Sequence, residues 1–170
     1  TVPGPIALVA NPQGTKVAVQ SFIPDDGGGI SAALSETPLL PSNVVVVVDV
    51  ATGEIAEVTD DPSIGFFWSP DGEALLVLVP TGGLAEVRPL VWSDGRTREL
   101  TAIAPQPSFV SDVLRFFDQY AQSLQLWSPD SSAIALVGAV EGEQGVWVHG
   151  VNGGDPVKVA DGLWAVWSNG

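Results

Sequence analysis

The chain has one histidine, His149, and it is the first candidate for catalytic chemistry. A histidine acts as a general base when it lies beside a nucleophile and a carboxylate orients its ring. The sequence contains no cysteine and no G-x-S-x-G nucleophile elbow, and His149 lies in the apolar run 145–150. We therefore expect His149 to be structural or merely exposed, and we assign no catalytic residue.

Two pairs of adjacent carboxylates, Asp25-Asp26 and Asp60-Asp61, are candidate ligands for a hard cation such as calcium. Such a cation needs several oxygen atoms that converge from one loop. No D-x-[DN]-x-[DN]-G calcium loop is present in the sequence. We therefore interpret both pairs as solvated turn residues and predict neither a metal site nor a cofactor.

The charge balance restricts the partners that this chain can bind. Its 170 residues include 20 acidic and 6 basic side chains, which give a formal net charge of −14. Binding to a phosphate backbone needs clustered lysines and arginines, so we exclude nucleic acid as a partner. The longest apolar run, Val44 to Val48, is much shorter than the roughly 20 residues of a membrane-spanning helix, so we expect no membrane span.

A short turn motif recurs along the chain and indicates repeats. In Ser69-Pro70-Asp71-Gly72, a residue that bonds the backbone comes first, a proline that restricts φ comes second and a glycine comes fourth, as type I turns favour. The first residues of the four turns, Asn11, Ser69, Ser128 and Ser168, are 58, 59 and 40 residues apart. The last spacing matches the length of a four-stranded propeller blade, about 40 to 45 residues.

The pattern between these turns predicts four strands in each repeat. We expect strands near 5–10, 15–22, 44–50, 54–58, 65–68, 74–79, 87–92, 96–100, 124–127, 133–140, 145–150, 156–160 and 163–167. The two longer spacings are explained by insertions at 23–43 and 107–123. In the second insertion, apolar residues recur every three or four positions, which predicts a helix over about 109–122.

The chain contains six tryptophans. Trp68, Trp127 and Trp167 occupy one repeated position just before the turn, which predicts that each ring packs between neighbouring repeats. The repeats do not place Trp92, Trp147 or Trp164 in this way. We expect Trp92 to be exposed and cheaper to truncate than Trp127, and we select Trp164 as a candidate contact for a partner.

Two segments carry a resemblance to a known family. The sequences FFWSPDGEALLVLV (66–79) and LQLWSPDSSAIALVGA (124–139) resemble the WSPDG-type, WD-like repeats of TolB-like bacterial β-propellers, which are also found in prolyl oligopeptidase-type peptidases. The resemblance implies an all-β fold, a propeller fragment of about three four-stranded antiparallel blades with one inserted helix. The blades would span 5–58, 65–100 and 124–160, followed by a final strand at 163–167.

The predicted helix is an unusual element in a propeller. It would cap the mouth of the central channel, dock a partner, or cover apolar blade surface, and the last is the simplest interpretation. If it docks a partner, Phe116 and Tyr120 are the candidate contact residues.

Two classes of function remain open. One is a non-catalytic propeller module that binds a protein or peptide, in the periplasm or outside the cell, as the resemblance to TolB-like proteins implies. The other is an accessory or gating domain of a larger prolyl oligopeptidase-type hydrolase. The family commonly has six blades, and three blades alone would leave apolar faces at both ends. We therefore expect a homodimer or pairing with the rest of a longer propeller.

Overall fold

The computed structural model describes residues 5–21, 44–114, 117 and 125–168, and these form three antiparallel sheets of four strands each. Unit 1 contains β1 (Pro5–Ala10), β2 (Lys16–Ser21), β3 (Val44–Asp49) and β4 (Ile55–Thr59). Unit 2 contains β5 (Gly65–Trp68), β6 (Ala74–Thr81), β7 (Glu86–Ser93) and β8 (Arg96–Glu99). Unit 3 contains β9 (Ala104–Pro105), β10 (Ala133–Val140), β11 (Glu143–Gly150) and β12 (Val157–Ala160). The predicted all-β propeller fragment is confirmed.

The repeated turn joins the first strand of each unit to the second, and it has the same hydrogen bonds in all three units. The side chain of its first residue accepts a bond from the backbone N–H five residues later, at 2.9 Å each time; the pairs are Asn11 with Lys16, Ser69 with Ala74, and Ser128 with Ala133. Its fourth residue has a positive φ, which glycine tolerates best. Local chemistry therefore sets this turn.

Burial falls from the first strand of unit 2 to its fourth. In unit 2, all four residues of β5 are buried, and β6 contributes the run Leu75 to Val79 to the core. Every residue of β8 is exposed, and three of its four side chains are charged. In this unit the first strand therefore faces the interior of the array and the fourth strand faces solvent.

The first strand of unit 3 is divided by the second insertion. Ala104–Pro105 pairs with one end of β10, and Trp127 forms a bridge with Ile134 near the other end. The predicted continuous strand at 124–127 is therefore wrong. The eight residues of β10 are enough to pair with a short piece from each side of the insertion.

Two other expected elements differ from the structure. The described part of the predicted helix over 109–122 begins with a π-helical turn, Phe109–Val113, and Leu114 continues it. Residues 163–167 form no assigned strand. They lie beside the first strand of unit 3, where the N–H of Trp167 donates to the carbonyl of Gln125 at 3.3 Å. In the described residues they have no second strand to pair with, so no ladder forms.

Trp92 and Trp147 are buried, so the expected exposure of Trp92 is wrong. Trp92 on β7 pairs with Leu75 on β6, and its ring meets that of Trp68 edge-on, with centroids 6.4 Å apart. The indole of Trp147 donates to the carbonyl of Gly138 at 3.2 Å. Among the residues that the structure describes, no helix is long and apolar enough to cross a bilayer.

Candidate functional site

The repeated tryptophans link neighbouring units. The indole N–H of Trp68 donates to the carbonyl of Val9 at 2.9 Å, and that of Trp127 donates to Phe67 at 3.0 Å. Trp167 continues the series with a 2.9 Å bond to Leu126. In each case the acceptor lies one residue before the position that corresponds to the tryptophan in the preceding unit. Val9 thus precedes Ala10, Phe67 precedes Trp68 and Leu126 precedes Trp127. The predicted packing between repeats is confirmed for Trp68 and Trp127, which are buried; Trp167 is half-buried and no further unit lies against it among the described residues.

This series gives the array a direction. We call the side of a sheet that looks toward the preceding unit its preceding face, and the other side its following face. Trp68 lies on the preceding face of unit 2, as does Thr97, whose hydroxyl donates to the carbonyl of Val58 in unit 1 at 2.8 Å. Each junction between described units therefore joins a following face to a preceding face.

The preceding face of unit 1 has no unit against it among the described residues, and we call it the leading face. Strand register places one acidic and seven apolar residues on it: Leu8, Ala10, Val17, Val19, Val46, Val48, Ile55 and Glu57. All are half-buried or exposed, while the residues that alternate with them, such as Ala18 and Val45, are fully buried. Unit 1 is therefore apolar on both faces.

A second apolar surface lies at the opposite end of the array, and we call it the trailing surface. It consists of Val157, Val159, Leu163, Trp164 and Val166, which are between 52 % and 68 % exposed. Beneath it, Leu163 to Val166 close over a cavity of about 10 Å³ that is lined by Phe109, Leu126, Ala135 and Val137. This is barely the volume of one water molecule, so the segment is already closely packed on unit 3.

The candidate partner residues are distributed unevenly. Trp164 belongs to the trailing surface and is 52 % exposed. Phe116 and Tyr120 lie outside the described residues, so their role stays a prediction. The leading face and the neighbours of Trp164 were not selected from the sequence. The sequence signal for the leading face was the unbroken run of valines in β3. A strand that is apolar at every position is typical of a sheet that is covered on both faces.

The described part of the insertion covers the first strand of unit 2. Leu114 is buried, and its Cδ2 lies 3.3 Å from the point where a Cβ of Gly65 would stand. The ring of Phe117 meets that of Phe66 edge-on, with centroids 5.0 Å apart. Of the three roles left open for the insertion, these contacts correspond to the covering of apolar blade surface.

His149 is buried at the junction between units 2 and 3. It lies opposite Ile134 on the same face as Trp127, and it is 2 % exposed. Burial lowers the pKa of its imidazole to about 4, so the ring is neutral near pH 7. Within the described part of the chain, Nε2 has no hydrogen-bond partner.

The carboxylates have local structural partners. Asp61 accepts a 2.6 Å bond from Arg88, which also pairs with Glu99 at 2.9 Å. Hydrogen bonds from the Ser128 and Ser132 hydroxyls and the Ser132 N–H lower the pKa of Asp130 to about 2. Asp25 and Asp26 lie outside the described residues. Among those described, no three histidine, aspartate or glutamate side chains form a group that could hold a metal ion.

No protein-family model and no curated protein matches the sequence, but solved structures match the fold. The chain aligns with a protein assigned as TolB from Agrobacterium tumefaciens at a TM-score of 0.52 and 16 % identity, covering 98 % of this chain and 50 % of that one. TolB from Acinetobacter baumannii aligns at a TM-score of 0.48 and 18 % identity, covering 91 % and 32 %.

A protein assigned as a dipeptidyl aminopeptidase IV from Bacteroides ovatus aligns at a TM-score of 0.49 and 13 % identity, covering 86 % of this chain and 22 % of that one. The chain thus spans half or less of the length of each structure that it matches. The solved structures that resemble this chain are TolB-like β-propellers, and its three sheets are successive blades of that fold.

Proposed function

We propose that this chain is a non-catalytic β-propeller module that binds a protein or peptide through its trailing surface. The observation that carries the proposal is the exposure of Trp164 among four aliphatic side chains at one end of the array. Exposed apolar patches mark interaction sites, and tryptophan is among the residue types that contribute most to binding at such sites.

The absence of catalysis is part of the same proposal. Its support comes from the neutral, buried state of His149 and from the structural bonds of Asp61 and Asp130. These groups are occupied in folding or are inaccessible to a substrate, so none of them is poised for proton transfer.

The net charge of −14 adds a preference to this binding surface. A strongly acidic protein attracts cationic partners and repels anionic ones, and this effect acts mainly on the rate of association. We therefore expect the partner to present an aromatic or aliphatic anchor flanked by lysine or arginine. The association rate should fall as salt is added, because salt screens the attraction between the two charges.

The location that we propose is the periplasm or the outside of a bacterial cell. It is supported by the resemblance of the WSPDG repeats to those of TolB-like proteins. Fractionation of cells that express the native gene, followed by immunodetection, tests this location. Recovery of the protein with the cytoplasmic fraction would contradict it.

Peptide selection followed by calorimetry tests the binding function. A peptide selected from a displayed random library against the chain should bind Trp164→Ser at least tenfold more weakly than it binds the wild type. Val50→Ser is the matched control, because Val50 is equally exposed but lies in a turn of unit 1, away from the trailing surface. Equal affinity for all three proteins would remove the trailing surface from the proposal.

A further inference from the structure

We propose that a groove at the junction of units 2 and 3 binds the side chain of an arginine that is presented by a peptide or a protein loop. The groove has a volume of about 350 Å³, which is in the range of small-ligand sites. It is lined by Thr101, Val140, Glu141, Glu143, Trp147, Asp155 and Pro156. It is a second site, separate from the trailing surface of the proposed function.

The strand register shows where the groove lies. Trp147 is two residues from His149 on β11, so both side chains project from the preceding face of unit 3. Lys158 on β12 pairs with Trp147 and shares this face, whereas the exposed valines of β12 alternate with it and lie on the trailing surface. Thr101, two residues after the last strand of unit 2, also lines the groove. The groove is therefore formed where one described unit meets the next.

Trp147 supplies an aromatic wall. Its side chain is buried, and its indole N–H donates to the carbonyl of Gly138 at 3.2 Å, so the ring has no free donor to offer a ligand. What remains for a ligand is ring carbon and the negative face of the π system. A cation, and above all a planar guanidinium, stacks favourably on such a ring.

Three carboxylates line the same groove: those of Glu141, Glu143 and Asp155. Glu143 pairs with Lys158 at 2.9 Å, and Lys158 also pairs with Asp161 at 2.8 Å, so the charge of Glu143 is already compensated. Glu141 and Asp155 are exposed and have no ion-pair partner among the described residues. Two uncompensated negative charges beside an indole favour a cation and repel a carboxylate or a phosphate.

The lining also distinguishes between kinds of cation. A metal ion needs several oxygen atoms that converge on one point, and no such group exists among the described residues. An ammonium is a compact and strongly hydrated charge, whereas a guanidinium spreads its charge over a plane with five donors. A guanidinium can therefore stack on the indole of Trp147 and donate to a carboxylate at the same time. The groove thus suits arginine better than lysine.

An NMR titration of the full 170-residue chain with the tripeptide acetyl-Gly-Arg-Gly-amide tests the inference. The signals to follow are the six indole N–H groups, and the signal of Trp147 is identified by its loss in Trp147→Phe. The arginine tripeptide should shift this signal with a millimolar Kd, as expected for a single side chain. The neutral citrulline analogue should leave the signal in place, and the lysine analogue should bind more weakly than the arginine tripeptide.

Two variants test the carboxylates. Glu141→Gln and Asp155→Asn should each weaken binding of the arginine tripeptide about threefold, because each removes one uncompensated charge from the groove. Asp94→Asn is the matched control, since it removes an exposed carboxylate from a turn of unit 2 that does not line the groove. It should bind the tripeptide as the wild type does. Unchanged indole signals in the free variants show that the fold is kept.

Four results overturn the inference: a signal of Trp147 that does not move, an equal shift with citrulline, equal binding of the lysine analogue, and equal weakening by Asp94→Asn and Asp155→Asn. Trp164→Ser should bind the tripeptide as the wild type does. Weaker binding by this variant would place the tripeptide on the trailing surface and would also overturn the inference. The tripeptide has no apolar anchor, so a negative result here leaves the proposed function to its own test.

Discussion

Replacing Trp127 with phenylalanine tests whether the indole bonds hold the units together. The indole of Trp127 donates to the carbonyl of Phe67 at 3.0 Å, and both residues are buried. Phenylalanine keeps an aromatic ring but removes the donor, so the carbonyl of Phe67 loses this bond. A buried polar group that loses its partner costs about 1–3 kcal/mol.

Trp92 provides the matched comparison. It is as buried as Trp127, at 4 % against 3 %, and also lies on the preceding face of its unit. Its indole nitrogen, however, has no hydrogen-bond partner in the part of the chain that the structure describes. Trp92→Phe loses a similar area of ring but also removes an unsatisfied donor, so the two effects oppose one another.

The two substitutions should therefore differ by about 1–3 kcal/mol in the free energy of unfolding, with Trp127→Phe the less stable. For a domain of this size, this corresponds to about 2–12 °C in Tm. Urea titrations followed by far-ultraviolet circular dichroism measure the difference, because this signal does not depend on tryptophan emission. Equal midpoints and slopes for the two variants would show that the indole bonds do not stabilise the junctions.

Three further predictions concern the junction of units 2 and 3, the insertion and the turns. The pKa of His149 is about 4 in the folded chain and about 6.5 in the unfolded chain, so protonation favours unfolding. The free energy of unfolding should therefore be constant above pH 6.5 with respect to this group and should fall by about 3 kcal/mol toward pH 4. Urea titrations of His149→Leu at a series of pH values should not show this decrease. Gly65→Val should lower Tm more than Gly150→Val, because a Cβ at Gly65 meets Leu114 at 3.3 Å, whereas the nearest atom at Gly150 is an ordinary contact at 3.6 Å. Gly72→Ala should lower Tm more than Gly53→Ala, since both have φ near +70° but only at Gly72 does the added Cβ meet neighbouring side chains.

The sequence predicts the repeat better than it predicts the contacts between repeats. The turn at Ser69 is readable because the bonds of the Ser69 side chain, to Asp71 and to the backbone of Ala74, are local. The repeated position of Trp127 likewise indicates a repeated environment. The burial of Trp92 could not be read from the repeat, since it depends on packing against Trp68, a residue 24 positions away.

The divided first strand of unit 3 could not be predicted from its local sequence, for a different reason. Ala104–Pro105 is too short to show alternation, and it resembles a linker. Its pairing with Gly138 and Ala139 is decided by residues more than thirty positions away. The apolar leading face, by contrast, was readable in principle, because five consecutive valines exceed what a strand with one solvated face requires.

The divided strand also affects the order in which the chain folds. Unit 2 is built from consecutive hairpins with short turns, so its contacts form between residues close in sequence. Unit 3 must bring Pro105 and Trp127 to the same strand, which closes a loop of about 20 residues at an entropic cost of about 3 kcal/mol. Because this entropic cost arises before the strand contacts that offset it are formed, we expect the first strand of unit 3 to form late in folding. The contacts of Phe117 with unit 2 then give a preformed blade on which the loop can close, so unit 2 would act as the template for its neighbour.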